Sequence, residues 1–172
     1  AISRGEVVLD VGCGTGTLTL LARTQTGAAG KVHGIDASPE MIAVARQKSV
    51  QQKSDVDFQV GVIEALPFPD GTFDVVLSSL MFHHLPPDLK QRGLAEIYRV
   101  LKPGGRLIVV DMARPKTLAQ RLNMITLVHN GLTDEVSDLL PLMLALGYQG
   151  GQVGSIWGPI GFVQASRGPT RP

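Results

Sequence analysis

The chain has 172 residues, of which 44% are hydrophobic and 18% charged, so it can fold around one sizeable core and is not a disordered segment. Its 16 basic and 15 acidic residues leave a formal net charge of +1 without a basic block, which argues against nucleic acid as the main partner. The single cysteine excludes an intramolecular disulfide, and no signal peptide or membrane-spanning run is present, so we expect a cytoplasmic protein.

The first element is an apolar strand that stops at three closely spaced glycines. Residues 7–11 form the strand, Gly12, Gly14 and Gly16 follow it, and residues 17–23 read as a helix. This strand–turn–helix opening is typical of a doubly wound α/β sheet that binds a nucleotide. Glycine adopts backbone angles that other residues avoid and places no Cβ against a ligand, so we expect a cofactor to lie on main-chain N–H groups here.

The spacing of these glycines and a downstream acid narrow the class of cofactor. A dinucleotide fingerprint reads G-x-G-x-x-G, whereas Thr17 stands at the position of the third glycine and the chain reads D-V-G-C-G-T-G. A second strand over residues 31–36 ends at Asp36, about 20 residues beyond the loop, where a carboxylate can accept hydrogen bonds from ribose hydroxyls. Ser38 is the better candidate to cap the next helix, which leaves Asp36 free for a ligand.

The remaining elements alternate between strand and helix, as a parallel sheet requires. Further strands are predicted at residues 56–60, 73–79 and 106–111, and helices at 39–52 and 86–102. After residue 111 we expect an apolar helix within residues 112–129, a helix from Thr133 that Pro141 kinks or shortens, and two strands at 149–156 and 160–165.

The loop after the fourth strand carries two adjacent histidines. Ligands of open α/β sheets bind at the carboxyl ends of the strands, so residues 78–85 should reach a cofactor and a second substrate together. His83 and His84 are the side chains of this loop that change protonation near neutral pH, which makes them candidate catalytic bases, His83 first and His84 second. The alternative is that one of them only packs beneath the loop.

Three stretches resemble motifs of the class I S-adenosylmethionine-dependent methyltransferases. They are D-V-G-C-G-T-G at residues 10–16, G-V-I-E-A-L-P-F at 61–68 and R-V-L-K-P-G-G at 99–105. Within that class the chain resembles enzymes that methylate small molecules in quinone and lipid biosynthesis, and it lacks the N/D-P-P-Y/F motif of enzymes that methylate nucleic-acid amino groups. The resemblance implies a Rossmann-like α/β domain over residues 1–172, with a doubly wound seven-stranded sheet of order 3-2-1-4-5-7-6, the last strand antiparallel, and a largely absent N-terminal lid.

The resemblance also implies where S-adenosylmethionine would bind. Asp10 and Gly12 would lie near its methionine amino group, Gly14 and Gly16 along the methionine and ribose, and Asp36 at the ribose. The other implied cofactor-binding residues are Cys13, Ala37, Val62, Ile63, Glu64, Ser79 and Leu80. Among these, Ile63 would lie by the adenine, and Ser79 and Leu80 along the methionine.

One position departs from the family pattern. The family carries an acid after the glycine of its second motif and binds the adenine amino group with it, but this chain has Val62 there. Either Glu64 supplies the carboxylate, or backbone groups and apolar contacts hold the adenine.

The implied reaction is methyl transfer to oxygen, nitrogen or carbon of a small-molecule acceptor, achieved mainly by in-line positioning and without a metal. The apolar residues 118–128 favour a hydrophobic acceptor, or else pack in the core or in a homodimer.

Two other classes stay open. A non-catalytic methyltransferase-like binding module is compatible with Val62 and with the missing lid. A nicotinamide-dependent oxidoreductase is indicated by Y-x-x-x-K at Tyr98 and Lys102, but opposed by Thr17 and by Pro103, which places Lys102 at a predicted helix end.

Overall fold

The computed structural model describes residues 2–113 and 135–169, which form a seven-stranded sheet with helices. The strands are β1 (Val7–Val11), β2 (Lys31–Asp36), β3 (Asp57–Val60), β4 (Phe73–Ser79), β5 (Leu101–Met112), β6 (Tyr148–Trp157) and β7 (Ile160–Arg167). Their order in the sheet is β3-β2-β1-β4-β5-β7-β6, as predicted. Strands β1 to β5 are parallel, and β7 runs antiparallel to both β5 and β6.

Four α-helices and two 3-10 turns connect these strands in the described residues. They are α1 (Thr17–Thr26), α2 (Pro39–Gln51), the turn Phe82–His84, α3 (Pro87–Val100), the turn Val136–Asp138 and α4 (Leu139–Ala145). The cap prediction is confirmed, because the Ser38 hydroxyl accepts from the Met41 N–H at 3.2 Å. Pro141 falls in the first turn of α4, where an N–H has no helical acceptor, and the α-helix begins only at Leu139 and not at Thr133 as predicted. The predicted helix at residues 118–128 lies outside the described residues.

Hydrophobic side chains cover both faces of the central strands. Along β1, Leu9 and Val11 pack into one cluster with α3 and α4, whereas Val8 packs into a second cluster with α1 and α2. All three are almost completely buried. This two-sided burial is why the central strands read as continuous apolar runs, and it holds the carboxyl ends of β1, β2, β4 and β5 along one edge of the sheet.

The boundary between α3 and β5 differs from the prediction. The helix ends at Val100, and the strand begins at once with Leu101, which pairs with Phe73 before the register shifts. Lys102 therefore lies in a strand, and its Nζ forms an ion pair with Asp74 at 2.7 Å. The helix was predicted to run to Lys102 and ends two residues earlier, so Lys102 lies just beyond the C-terminus of α3.

The buried face of α1 does not consist of its leucines alone. Leu18 and Leu21 are 37% and 57% exposed. The helix instead buries two threonines with Leu20 and Ala22. One of these threonines, Thr19, meets a carboxylate at the end of β1, so the polar residue is buried for a specific partner.

Candidate active site

The three glycines after β1 all have left-handed backbone angles, and they differ in what a side chain at each position would meet. Gly12 has a φ of 73°, and a Cβ there would lie 2.5 Å from Cγ of Met81. Gly16 has a φ of 76°, and a Cβ there would lie 2.6 Å from the ring of Phe58. Gly14 has a φ of 53°, and a Cβ there would meet no atom within 4 Å. Gly14 is therefore the point where a ligand can approach the bare backbone.

The loop amides are hydrogen-bonded within the protein. The N–H groups of Gly12 and Cys13 both donate to the carbonyl oxygen of Ile35 at 2.9 Å. The N–H of Gly14 donates to Oδ2 of Asp36 at 2.8 Å. These three N–H groups are thus already engaged by β2, and the expectation that a cofactor lies on main-chain N–H groups of this loop stays a prediction. At Gly14 the loop offers backbone without a side chain.

Asp36 lies half-buried at the end of β2 and links the loop to the start of α2. Its Oδ2 accepts from Gly14, and its Oδ1 accepts from the N–H of Ser38 at 2.9 Å. The sequence led us to expect a carboxylate free for a ligand, whereas both of its oxygens already accept N–H groups of the protein. Each carboxylate oxygen has a second lone pair, so Asp36 can still accept hydrogen bonds from two hydroxyl groups of a ligand. Ala37, beside it, is exposed.

Asp10 is a buried carboxylate with one unsatisfied oxygen. Its side chain is 1% exposed, and Oδ2 accepts from the hydroxyl of Thr19 at 2.6 Å. Oδ1 has no hydrogen-bond partner among the described residues. Burial raises the pKa of Asp10 to about 6; the Thr19 hydrogen bond opposes this rise, and the charge of Asp36 adds to it. A positively charged ligand group bound above the loop would favour the charged form.

Two of the implied site residues direct their side chains into the core. Cys13 is 9% exposed, and burial is the main reason that the pKa of its thiol rises to about 12. Ile63 is 6% exposed and packs on Gly93 of α3. Only their backbones can face a ligand. On either side of Ile63, Val62 is 41% exposed and Glu64 is half-buried.

The turn after β4 brings the next loop onto the glycine loop. Ser79 pairs with Val110 of β5, and the N–H of Leu80 donates to the Val110 carbonyl at 2.8 Å. Leu80 has a φ of 54°, which is uncommon for a residue with a side chain and turns the backbone sharply. Met81 then packs on Gly12. Sequence reasoning missed Met81, since no motif marks it.

His83 is held by a carboxylate from the neighbouring strand. Its Nδ1 lies 2.6 Å from Oδ1 of Asp111, and its backbone N–H donates to Oδ2 at 3.2 Å. Oδ1 also accepts from the N–H of Met112 at 2.7 Å. The side chains of His83 and Asp111 are 12% and 3% exposed. Asp111 was missed as a site residue, although its place at the carboxyl end of β5 was a usable signal.

His84 has different surroundings. It is exposed, and its ring stacks on that of His83 with centroids 3.8 Å apart and planes tilted by 44°. Its backbone N–H donates to the Met81 carbonyl at 3.0 Å. The structure thus separates the two candidates by their contacts, and their catalytic roles stay predictions.

A shallow cleft opens beside the His83–Asp111 pair. It is lined by Phe82, His83, Lys90, Asp111, Met112, Glu135, Val136 and Leu139, and the surface exposed within it is almost entirely apolar. An apolar surface next to polar side chains is a feature of small-molecule sites, but the enclosed space here is smaller than such sites usually have.

The Y-x-x-x-K pair serves structural contacts. The Tyr98 ring packs edge-on against Tyr148 with centroids 5.0 Å apart, and the Arg167 guanidinium lies 5.1 Å from its centroid. Lys102 is engaged with Asp74. Tyr98 is therefore a residue of α3 that packs against other side chains.

The described residues contain neither a cluster of metal ligands nor a helix that could span a membrane. Within residues 2–113 and 135–169, no cluster of three or more His, Cys, Asp or Glu side chains could hold a metal ion. None of the helices in that part of the chain is long and apolar enough to cross a membrane.

Comparison with known proteins identifies the family. A family model described as a methyltransferase domain matches residues 8–105, more than half of the chain, and includes the glycine loop, Asp36 and His83. The chain belongs to the methyltransferase domain family. Its sheet order and its relatives assign it to the class I S-adenosylmethionine-dependent members, which confirms the resemblance found in the sequence.

Individual methyltransferases show how far the similarity extends. The chain is 43% identical over 113 residues to Demethylmenaquinone methyltransferase of Symbiobacterium thermophilum, covering 64% of this chain and 44% of that protein. It is 39% identical over 115 residues to Arsenite methyltransferase of Halobacterium salinarum, covering 66% of this chain and 29% of that protein. The chain therefore spans less than half the length of these curated relatives.

A solved methyltransferase structure extends the likeness over nearly the whole chain. The SAM-dependent methyltransferase from Aquifex aeolicus superposes with a TM-score of 0.81 at 25% identity, covering 96% of this chain and 84% of that one. The membership is in a family of methyltransferases and not of nicotinamide-dependent oxidoreductases.

Proposed function

We propose that this chain transfers a methyl group from S-adenosylmethionine to a small organic acceptor bound beside His83. The observation that carries the proposal is the half-buried carboxylate of Asp36, which lies beside the bare backbone of Gly14 and keeps a lone pair on each oxygen for a ligand. Hydroxyl groups fit Asp36, Gly14 leaves the space between loop and ligand open, and the negative charge of Asp10 beneath the loop favours a ligand that carries an ammonium group. A positively charged amino acid joined to a nucleoside has these groups.

S-adenosylmethionine, when bound, supplies a methyl group on a positively charged sulfur atom that keeps the bonding electrons as the methyl leaves. The chain's own residues then have to hold two molecules in line, and positioning of this kind can lower a barrier by on the order of 7–11 kcal/mol. We assign the methionine end to Asp10, Gly12, Ser79 and Leu80, the ribose to Asp36, and the adenine to a surface made by Val62 and the backbone of Ile63. Val62 is exposed and the side chain of Ile63 points inward, which supports this last assignment over one through Glu64.

For the acceptor we infer a quinone-type or similarly apolar ring. One relative is named for demethylmenaquinone and the other for arsenite. Arsenic is a soft centre that prefers thiolate ligands. The one cysteine of these 172 residues is the buried Cys13, whose pKa is raised to about 12. The apolar lining of the cleft beside His83 favours an organic ring instead.

Further predictions accompany this function. We propose that no metal and no nucleic acid takes part, that residues 1–172 act as one domain in the cytoplasm, and that the chain forms a homodimer. The net charge of +1 supports the exclusion of nucleic acid. Sedimentation velocity tests the homodimer directly.

The first experiment measures cofactor binding by calorimetry. Wild-type protein should bind S-adenosylmethionine, and Asp36→Ala should weaken binding by roughly tenfold or more, because two hydrogen bonds to a charged acceptor are lost. Asp57→Ala is the matched control, since it removes a carboxylate at the amino end of the neighbouring strand β3, opposite His33 and three residues before the strand position that faces Asp36. Wild-type protein without measurable affinity, or an Asp36→Ala variant that binds as tightly as wild type, would refute the proposed site.

The second experiment measures turnover. Formation of S-adenosylhomocysteine is followed by mass spectrometry with a panel of acceptors that includes 1,4-naphthohydroquinone. Turnover restricted to polar acceptors would contradict an apolar acceptor site. Tight cofactor binding with no product across the whole panel would instead favour a non-catalytic binding module.

A further inference from the structure

The pair of His83 and Asp111 has a defined hydrogen-bonding pattern that the sequence did not reveal. Three nitrogen atoms surround the Asp111 carboxylate: Nδ1 of His83 at 2.6 Å and the backbone N–H of Met112 at 2.7 Å from Oδ1, and the backbone N–H of His83 at 3.2 Å from Oδ2. An ionised carboxylate only accepts hydrogen bonds, so it satisfies all three donors when Nδ1 of His83 carries the hydrogen. The other ring nitrogen, Nε2, then has a free lone pair in the neutral imidazole.

The position of this pair connects the cofactor loop with the cleft. Met81, two residues before His83, packs on Gly12 of the glycine loop. On its other side His83 lines the cleft with Asp111, Lys90 and Glu135. The backbone turn between these contacts is fixed by the hydrogen bond from Leu80 to Val110 of β5. His83 is thus held between the place proposed for the cofactor and the place proposed for the acceptor.

We propose that Asp111 is a positioning residue that fixes His83 in the Nδ1–H tautomer, so that Nε2 takes a proton from the acceptor. The inference rests on the proposed function. The acceptor's X–H bond breaks, its proton moves to Nε2, and the bonding pair stays on the acceptor atom as the nucleophilic lone pair. The negative charge of Asp111 stabilises the imidazolium that forms. The acceptor is therefore one that keeps its proton near neutral pH, such as a phenolic hydroxyl, and not one that is already ionised.

The tautomer can be measured in the ligand-free protein. Two-bond ¹H–¹⁵N correlation spectra distinguish Nδ1–H from Nε2–H, and His83→Gln assigns the signals among the four histidines of the chain. Wild-type His83 should show the Nδ1–H pattern, and Asp111→Ala should convert it to a mixture. Asp111→Asn should retain it, because an amide oxygen can replace Oδ1. Asp57→Ala is the matched control, since Asp57 lies 3.1 Å from Nδ1 of the other paired histidine, His33.

The role in proton transfer is tested with two acceptors of the same shape. Near pH 8, 2-naphthalenethiol is largely ionised, whereas 2-naphthol keeps its proton, since thiols are more acidic than phenols. Asp111→Asn should slow single-turnover transfer to 2-naphthol by roughly tenfold or more and to 2-naphthalenethiol by less than about threefold, because general-base catalysis contributes only where a proton must leave. Far-UV circular dichroism checks that each variant is folded.

Two results would overturn the inference. One is a wild-type His83 that carries its hydrogen on Nε2, and the other is an equal loss of rate with both acceptors, which indicates a purely structural role for Asp111. Failure of the proposed function is distinguishable from both. It would appear as absent S-adenosylmethionine binding by wild-type protein in calorimetry, a measurement that does not depend on the tautomer of His83.

Discussion

The substitution Asp10→Asn tests whether the carboxylate at the end of β1 destabilises the ligand-free protein. Burial raises the pKa of Asp10 from 3.8 to about 6, against the opposing hydrogen bond from Thr19 and with a further contribution from the charge of Asp36. Between pH 3.8 and about 6, the native state holds a proton on Asp10 that the unfolded state has released. The free energy of unfolding of wild-type protein therefore falls as the pH rises through this range.

The magnitude follows from the same values. One pKa unit corresponds to ~1.4 kcal/mol, so a rise from 3.8 to about 6 amounts to ~3 kcal/mol once the pH exceeds both values. Most of this difference, roughly 2–3 kcal/mol, develops between pH 4 and pH 7. Asparagine does not titrate. The stability of Asp10→Asn relative to wild type should therefore increase by that amount over the range, whatever constant offset the new amide introduces.

The assay is urea unfolding of both proteins at several pH values without ligand. Asp88→Asn is the control, because the Asp88 side chain is 69% exposed and its partner, Arg92, stays charged throughout this range. A difference between Asp10→Asn and wild type that stays constant to within ~0.5 kcal/mol from pH 4 to pH 7 would refute the reasoning, since surface substitutions vary by about that much. At pH 7 the variant should also bind S-adenosylmethionine more weakly, so stability and affinity move in opposite directions.

Three further predictions follow from single contacts. Gly14→Ala should reduce the free energy of unfolding by ~1–2 kcal/mol, since φ is 53°, and should weaken S-adenosylmethionine binding in calorimetry; unchanged affinity would show that no ligand approaches this residue. Tyr148→Phe removes the buried hydrogen bond to the Leu94 carbonyl at 2.9 Å and should lower stability in urea by ~1–2 kcal/mol while leaving cofactor affinity intact; an equal stability would mean that the carbonyl finds another donor. Cys13, whose thiol pKa burial raises to about 12, should react with an aromatic disulfide reagent near pH 8 only after unfolding, and rapid labelling of folded protein would contradict its burial.

The alternation of strands and helices was predictable from local patterns in the chain, whereas the order of the sheet was implied by the resemblance to the methyltransferase family. The run before Gly12 is apolar on both faces, and β4 has the predicted limits, Phe73–Ser79, since a turn precedes it and a loop follows. The start of β5 was not predictable in this way. The letters K-P-G-G read as the end of a helix, yet Leu101 already pairs with Phe73, and that pairing depends on a strand far away in the sequence.

The candidate site likewise contains residues that a sequence motif marks and residues that no motif marks. Asp10 and Asp36 could be found because a motif fixes their distance from the glycines. Asp111 was marked only by its place at the carboxyl end of β5, and its pairing with His83 depends on the alignment of β5 with β4. Met81 could not be found, because its position depends on the turn at Leu80. The hydrogen bonds that occupy the loop amides were hidden for the same reason, since they join β1 to β2 across about 20 residues of sequence.

Those occupied amides have a consequence for the dynamics of the ligand-free protein. A loop fixed by Ile35 and Asp36 keeps its shape before any ligand arrives. Association then demands little ordering of the backbone, and less of the interaction free energy is lost to conformational entropy. Preorganisation of this kind should appear as slow hydrogen exchange at Gly12, Cys13 and Gly14 in the empty protein, with only a small further slowing when the site is filled.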